Sequence, residues 1–357
     1  MQKVIKLRRP VAIFANAAVG GREEKNGPLG DMLDFTDMSD RFGQNTWELA
    51  ESELSHAALS LALGRAKMSH ADLSFLFSGD LQNQCVASSC AHLETEVPFF
   101  GIYGACSTCT EGLTLASLVL NAAEEDTVAA VVTTSHNSAA ERQFRTPIEY
   151  GGQRPPTAQW TATAGGAFLL RACGEGQPKE VGKKPKDDGQ VTGRAPHITR
   201  VMAGIMRDGG VSDAFNMGAA MAPAAADSVK SFLSLVGAKP GDYDAIVTGD
   251  LGDEGSELLK ILLKKEGIDI SRQHLDCGKL LYDLKNRDCH AGGSGCGCSA
   301  ATLAAKFLPA LTEGSLQKIL FLSTGALMSP TSIQQGKTII GVAPVLEIVA
   351  PGCVKGA

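Results

Sequence analysis

The sequence predicts an α/β fold built from two duplicated halves, and three repeated phrases predict it. The phrase Asp72–Leu81 (DLSFLFSGDL) returns as Asp242–Leu251 (DYDAIVTGDL), with an apolar run reaching a Gly-Asp turn in both. Gly104-Ala105-Cys106-Ser107-Thr108-Cys109 and Gly293-Ser294-Gly295-Cys296-Gly297-Cys298 each open an apolar helical pattern. Val131-Val132-Thr133-Thr134 is answered by Phe321-Leu322-Ser323-Thr324. The copies keep their order and lie roughly half the chain apart, a period that marks a duplicated domain and not a solenoid.

The elements follow in order. The apolar stretch from Val11 is short and broken by Asn16, so the start reads as a first strand leading into a loop, not a cleaved signal. Asn45 with Glu48 three residues later resembles a capping box. Trp47, Ala50, Leu54, Ala57, Ala58 and Leu61 then recur at helical spacing up to Gly64. Leu73–Phe77 and Val97–Tyr103 read as strands, and Gly104 turns the second into a helix from about Cys106 to Ala122. Thr127–Thr134 and Thr163–Arg171 are further strands. The second half repeats the plan, with strands near 198–206, 245–248, 319–323 and 338–349 and helices near 218–236, 254–265 and 299–311. Strands alternating with helices imply buried, mostly parallel sheets. The segment 173–197 is polar and rich in Gly, Pro and Lys. It divides the chain into halves at 1–172 and 198–357, and its lysines suit either a solvated connector or an anionic partner.

Composition narrows the function. A chain of 357 residues can bury a large core without disulfide staples. A net charge of −6 argues against a nucleic-acid surface. The ten cysteines sit in apolar or Gly-rich runs, as expected of small apolar residues in a reducing compartment. No apolar run reaches the ~18–20 residues that span a bilayer.

A duplicated strand–helix unit with a Cys at the strand-to-helix turn of its first half resembles the thiolase and ketoacyl synthase superfamily. Longer strings narrow this: GPLG at 27–30, GDLQNQ at 79–84, GIYGACSTC at 101–109, SHNSAAERQFRTPIEYGGQ at 135–153, MGAAMAPAAADS at 217–228 and AGGSGCGCSA at 291–300. Together they are similar to the stage V sporulation AD family of endospore-forming bacteria. The resemblance covers nearly the whole chain. It implies a five-layer αβαβα sandwich, usually a twofold homodimer. It implies binding of dipicolinic acid, free or as its calcium chelate, for uptake into the developing spore. It also implies membrane-embedded SpoVA channel proteins as partners, a cytoplasmic location peripheral to the inner forespore membrane, and no cofactor of the chain's own.

In thiolase-fold enzymes the Cys at the position of Cys106 accepts the acyl group, and a helix N-terminus favours its thiolate. Those enzymes also need a His, plus a second His or an Asn, from the second half. Here Asp250 follows the strand ending at Thr248, where the resemblance places the first His. An aspartate near pKa ~3.9 is a poor base at neutral pH unless buried, and as an anion it repels a thiolate. The run 292–299 offers only Gly, Ser and Cys, and His290 just before it could be a displaced remnant. The chain therefore reads as a binder and not an enzyme. The rival is an acyltransferase like ketoacyl synthase III, working through Cys106 with His136 as base.

An aromatic dicarboxylate needs cationic or N–H donors and an apolar slot for its ring. Candidate ligand-binding residues are Cys106, His136, Arg142, Arg145, Asn83 and Asp250. Arginine forks match carboxylates, and Glu141 could hold one of them in place, although both arginines also fit an ordinary helix surface. His136 is either a donor to the ligand or a satisfied interface histidine. Asp80 and Asp250 are related by the duplication. They could meet calcium arriving with the ligand, with Asn83 and Gln84 nearby, or simply cap turns. Cys277, Cys289, Cys296 and Cys298 match no usual metal spacing, so no metal site is expected.

Overall fold

In a computed structural model of the chain, residues 2–124, 126–144, 154–173 and 195–352 are described. Most of the 173–197 connector and Arg145 lie outside them. Ten strands form the path of one large sheet. They are β1 (Ile5–Gly20), β2 (Phe75–Gly79), β3 (Phe99–Gly101), β4 (Val128–Ser135), β5 (Ala164–Ala172), β6 (His197–Met202), β7 (Ala245–Thr248), β8 (His274–Asp276), β9 (Lys318–Leu322) and β10 (Val345–Val349). The order is β8-β7-β9-β10-β6-β1-β5-β4-β2-β3, and a short strand at Phe35–Thr36 pairs with β1. Read outward from the β1–β6 junction, each half has the same sequence of neighbours. The duplicated phrases thus sit at equivalent places: the Gly-Asp turns follow β2 and β7, and Thr134 and Thr324 lie at the ends of β4 and β9.

The sheet is mixed, which corrects the expectation of mostly parallel strands. β2, β3 and β4 run parallel, as do β7, β8 and β9. β5 and β10 are antiparallel to both of their neighbours. Apolar runs report burial on both faces and carry no information on direction.

Alternation along the strands divides the core in three. Phe77, Ala129, Val131, Val247, Phe321 and Leu346 point to a central layer. There they meet Cys109 and Leu113 of helix α3 (Thr108–Ala122) and Cys298 and Leu303 of the helix opened by Cys296. Leu76, Ala130 and Val132 point outward to helix α1 (Trp47–Ala66). Ile246, Leu320 and Leu322 point outward to helices α5 (Met217–Val236) and α6 (Gly252–Lys265). Helix, sheet, helix, sheet, helix is the expected five-layer sandwich, with its two central helices starting at the duplicated Gly/Cys turns.

Several boundaries move for local reasons. α1 is capped by Thr46, whose Oγ1 accepts the Leu49 N–H at 3.3 Å, and not by Asn45. It passes through Gly64 and stops at Lys67, which is left-handed at φ +53°. The helix opened by Cys296, here α7 (Cys296–Thr302, continuing to Glu313), carries a π turn at Leu303–Phe307. Pro309 explains that turn, because it has no N–H to give and its ring displaces the carbonyl one turn back. The predicted strand 338–349 is two, Ile340–Val342 and β10, because Pro344 lies between them and donates nothing to a ladder.

Candidate functional site

Cys106 lies in the turn before α3 and not inside the helix. Ala105 is left-handed at φ +51°, and Ser107 is the N-cap of a helix that starts at Thr108. The N–H groups of Ser107 and Thr108 are taken by the carbonyls of Gly104 and Ala105 at 3.0 and 3.3 Å. The helix end therefore has little left to offer a thiolate. Cys106 is buried, close enough to the Asp250 carboxylate to feel its charge. Burial pushes the thiol well above its ordinary value, and the charge on Asp250 pushes it further. The Gly295 N–H and the Ser294 hydroxyl act weakly the other way. The expected lowering by the helix dipole is overturned, because desolvation and a neighbouring anion outweigh a few partial charges.

Asp250 is itself fully buried at the turn after β7. Its Oδ2 accepts the Gly295 N–H at 2.9 Å, and its Oδ1 accepts the Thr324 hydroxyl at 2.8 Å. Burial raises its carboxyl to about 7. Gly295 can aim its N–H this way because it sits at φ +97°, with the space beside its Cα filled by Ser135 Oγ, which would stand 2.8 Å from a Cβ. Burial likewise raises Tyr103, Cys85 and Cys296, Cys85 to about 11. The Cys296 thiol donates to the Thr134 carbonyl at 2.9 Å. The site thus collects groups that favour their neutral forms.

Asp80 takes the capping role. Its carboxylate accepts the Gln82 N–H at 2.8 Å, the Ser88 N–H at 2.7 Å and the Ser88 hydroxyl at 2.6 Å, and it is fully buried. It is no carboxylate at a pocket mouth, and neither is Asp250. Among the described residues no three His, Cys, Asp or Glu side chains are placed to hold a metal ion.

His136 belongs to another neighbourhood. Its Nε2 donates to the Asp40 carbonyl at 2.7 Å, and its ring lies 5.4 Å from that of Trp47. Burial lowers its affinity for a proton, so it is neutral. Helix α4 (Asn137–Phe144) follows it and carries Arg142, which pairs with Glu48 at 3.3 Å. The next residue, Gln143, accepts the Asn83 N–H at 2.9 Å and donates to the Leu81 carbonyl at 2.9 Å. His290 is 2.7 Å from Asp288 and is no remnant beside the sulfur. The six candidates thus part into a buried pair, Cys106 with Asp250, and a group flanking α4, Asn83 with His136 and Arg142. Arg145 lies outside the described residues. Thr324, the partner of Asp250, stood in the third repeated phrase. Trp47 was read as a core position only.

A family model described as stage V sporulation protein AD matches residues 1–349. The stage V sporulation protein AD of Bacillus subtilis (strain 168) is 39% identical over 333 residues, which cover 93% of this chain and 92% of that protein. Among solved structures, OleA of Xanthomonas campestris with bound cerulenin superposes with a TM-score of 0.58 at 15% identity, over 97% of this chain and all of that one (100%). The 3-oxoacyl-[acyl-carrier-protein] synthase III of Aquifex aeolicus VF5 gives 0.53 at 12% identity, over 94% and 99%. These two likenesses show the thiolase-like fold. No described helix is long and apolar enough to cross a membrane.

Proposed function

This chain belongs to the stage V sporulation protein AD family, and on that premise we propose that it serves sporulation as a non-catalytic binder of dipicolinic acid, handing the ligand to membrane proteins of the spore. One observation carries the non-catalytic part: a buried carboxylate stands beside the Cys106 sulfur, at the seat where thiolase-fold enzymes keep an imidazole. A nucleophile in acyl transfer must lose its proton to a base and then face a growing oxyanion. Asp250 raises the thiol's pKa instead of lowering it, and its charge opposes both thiolate and oxyanion. The competing reading, acyl transfer at Cys106, draws on the Gly295 N–H and the Ser294 hydroxyl beside the sulfur.

The binding part rests on charge. A dicarboxylate is disfavoured among Asp250, Asp80 and Glu51, which are all buried. The group flanking α4 offers the half-exposed guanidinium of Arg142 and the side-chain amide of exposed Asn83. We therefore place the ligand's carboxylates on the α4 side. Calorimetric titration with dipicolinate, with and without calcium, tests this. The wild-type chain is expected to bind, and Arg142→Ala to bind about 5–20-fold more weakly, the effect of one charged hydrogen bond. Silence of the wild type in both titrations would sink the binding reading and leave a scaffolding role.

A further inference from the structure

A surface feature beside α4 has the form of a ring-recognition site. The Arg41 guanidinium lies over the Trp47 ring at 3.9 Å from its centroid. The His136 ring lies 5.4 Å from the Trp47 ring at 33°. The stack is built, not incidental. Arg41 is held by a hydrogen bond from Nη1 to the Asn45 carbonyl at 3.0 Å. The residues on either side of it, Asp40 and Phe42, are both left-handed, at φ +58° and +48°. That conformation is unfavourable for a side chain as bulky as Phe42 and persists only where the surroundings impose it. Here the Asp37 carboxylate imposes it, through the Phe42 and Ser39 N–H groups. The histidine against the indole is itself held in place. His136 is completely buried and gives its Nε2–H to Asp40, and its Nδ1 has no partner among the described residues. Glu48, whose charge bears on His136, is already met by Arg142.

We propose that Arg41, Trp47 and Arg142 form a recognition platform for planar aromatic carboxylates, in which the ring stacks on the Arg41–Trp47 pair and the carboxylate takes guanidinium N–H groups. Guanidinium and indole planes stack on flat π systems, and the guanidinium edge remains available to carboxylate oxygens. His136 is fully buried against the indole while Arg41 is partly exposed, so the ring approaches from the Arg41 side. This deepens the binding reading above by naming the residues that choose an aromatic acid over an aliphatic one, and it rests on that reading only for the identity of the acid.

The test uses the full chain with Trp160→Phe, which leaves Trp47 as its one tryptophan. Dipicolinate, isophthalate and glutarate are titrated while Trp47 emission and heat are followed. The two aromatic acids are expected to quench Trp47 emission, and glutarate is expected to leave it unchanged. Arg41→Gln and Trp47→Leu are each expected to weaken dipicolinate binding at least ~10-fold. Trp47→Phe keeps an aromatic face and is expected to lose less, which separates stacking from a failure to fold. If the parent chain binds dipicolinate and both variants bind equally well, the platform is wrong while the binding reading stands. If dipicolinate is silent yet isophthalate quenches Trp47, the reading of the ligand falls and the platform stands. Equal responses to glutarate and isophthalate, or no response to either aromatic acid, overturn the platform.

Discussion

Asp250→Asn is expected to raise the rate of Cys106 alkylation by iodoacetamide about 10–100-fold at pH 7.5. Two influences hold the proton on this sulfur: burial first, then the Asp250 charge. Asparagine removes the charge, worth roughly 1–2 pKa units. Each unit is a tenfold change in thiolate at a pH below the thiol pKa. The amide oxygen still accepts from the Gly295 N–H or the Thr324 hydroxyl, so the loop stays in place. Peptide mapping should show the gain at Cys106 and little change at exposed Cys90, which serves as an internal reference. An unchanged rate at Cys106 would mean that burial alone silences it and that the carboxylate is incidental.

The second large effect concerns Glu24, a buried carboxyl that no motif announced. Its Oε2 accepts the Gly21 N–H at 3.1 Å, and its Oε1 accepts the Thr163 N–H at 3.1 Å and the Tyr282 hydroxyl. One side chain thereby ties two loops of the first half to the second. The Gly21 N–H keeps the Thr163 carbonyl at 2.7 Å, so Glu24→Ala leaves two buried donors, the Thr163 N–H and the Tyr282 hydroxyl, without an acceptor, at about 1–3 kcal/mol each before relaxation. A net loss of about 3–5 kcal/mol is expected, read as a fall in Tm of roughly 5–10 °C. A loss under about 1 kcal/mol would show that water replaces the carboxylate.

The same residue sets a pH dependence. Burial raises Glu24 from 4.5 to about 7. Near pH 4 the folded and unfolded chains both hold this proton. As pH climbs toward 7 the unfolded chain releases it first, so unfolding gains and stability falls. Above about 7 the loss is complete, on the order of 3 kcal/mol for this group. Asp250, raised to about 7, and Asp276, raised to about 6, act in the same direction. Tm should therefore decline from pH 5 to pH 7.5, and Glu24→Gln should flatten part of the slope. An unchanged slope in that variant would assign the dependence to other groups.

What could be read from the sequence follows from what repeats. The Gly-Asp turns, the Gly/Cys turns and the Thr-ended strands are local strings, so their duplication exposed the fold, Cys106 and Asp250 together. Strand direction was not legible, because an apolar run buried on both faces looks alike in a parallel or an antiparallel ladder. Glu24, Tyr282 and Thr163 are far apart in sequence and meet only through the tertiary fold. The Trp47 stack was hidden for a different reason. Trp47 sits at helical spacing with core residues, and nothing in that spacing shows that its ring lies under Arg41 instead. His136 was legible as a candidate, but its partner Asp40 was not, since the contact is to a backbone carbonyl.

The claim on which the rest depends is that Cys106 is a proton-holding thiol and not an acyl acceptor. Incubating the wild-type chain with a medium-chain acyl-CoA and recording its intact mass tests it directly. The expected spectrum is a single unmodified species. A stoichiometric acyl adduct that disappears in Cys106→Ser would contradict the account and make the protein an acyltransferase.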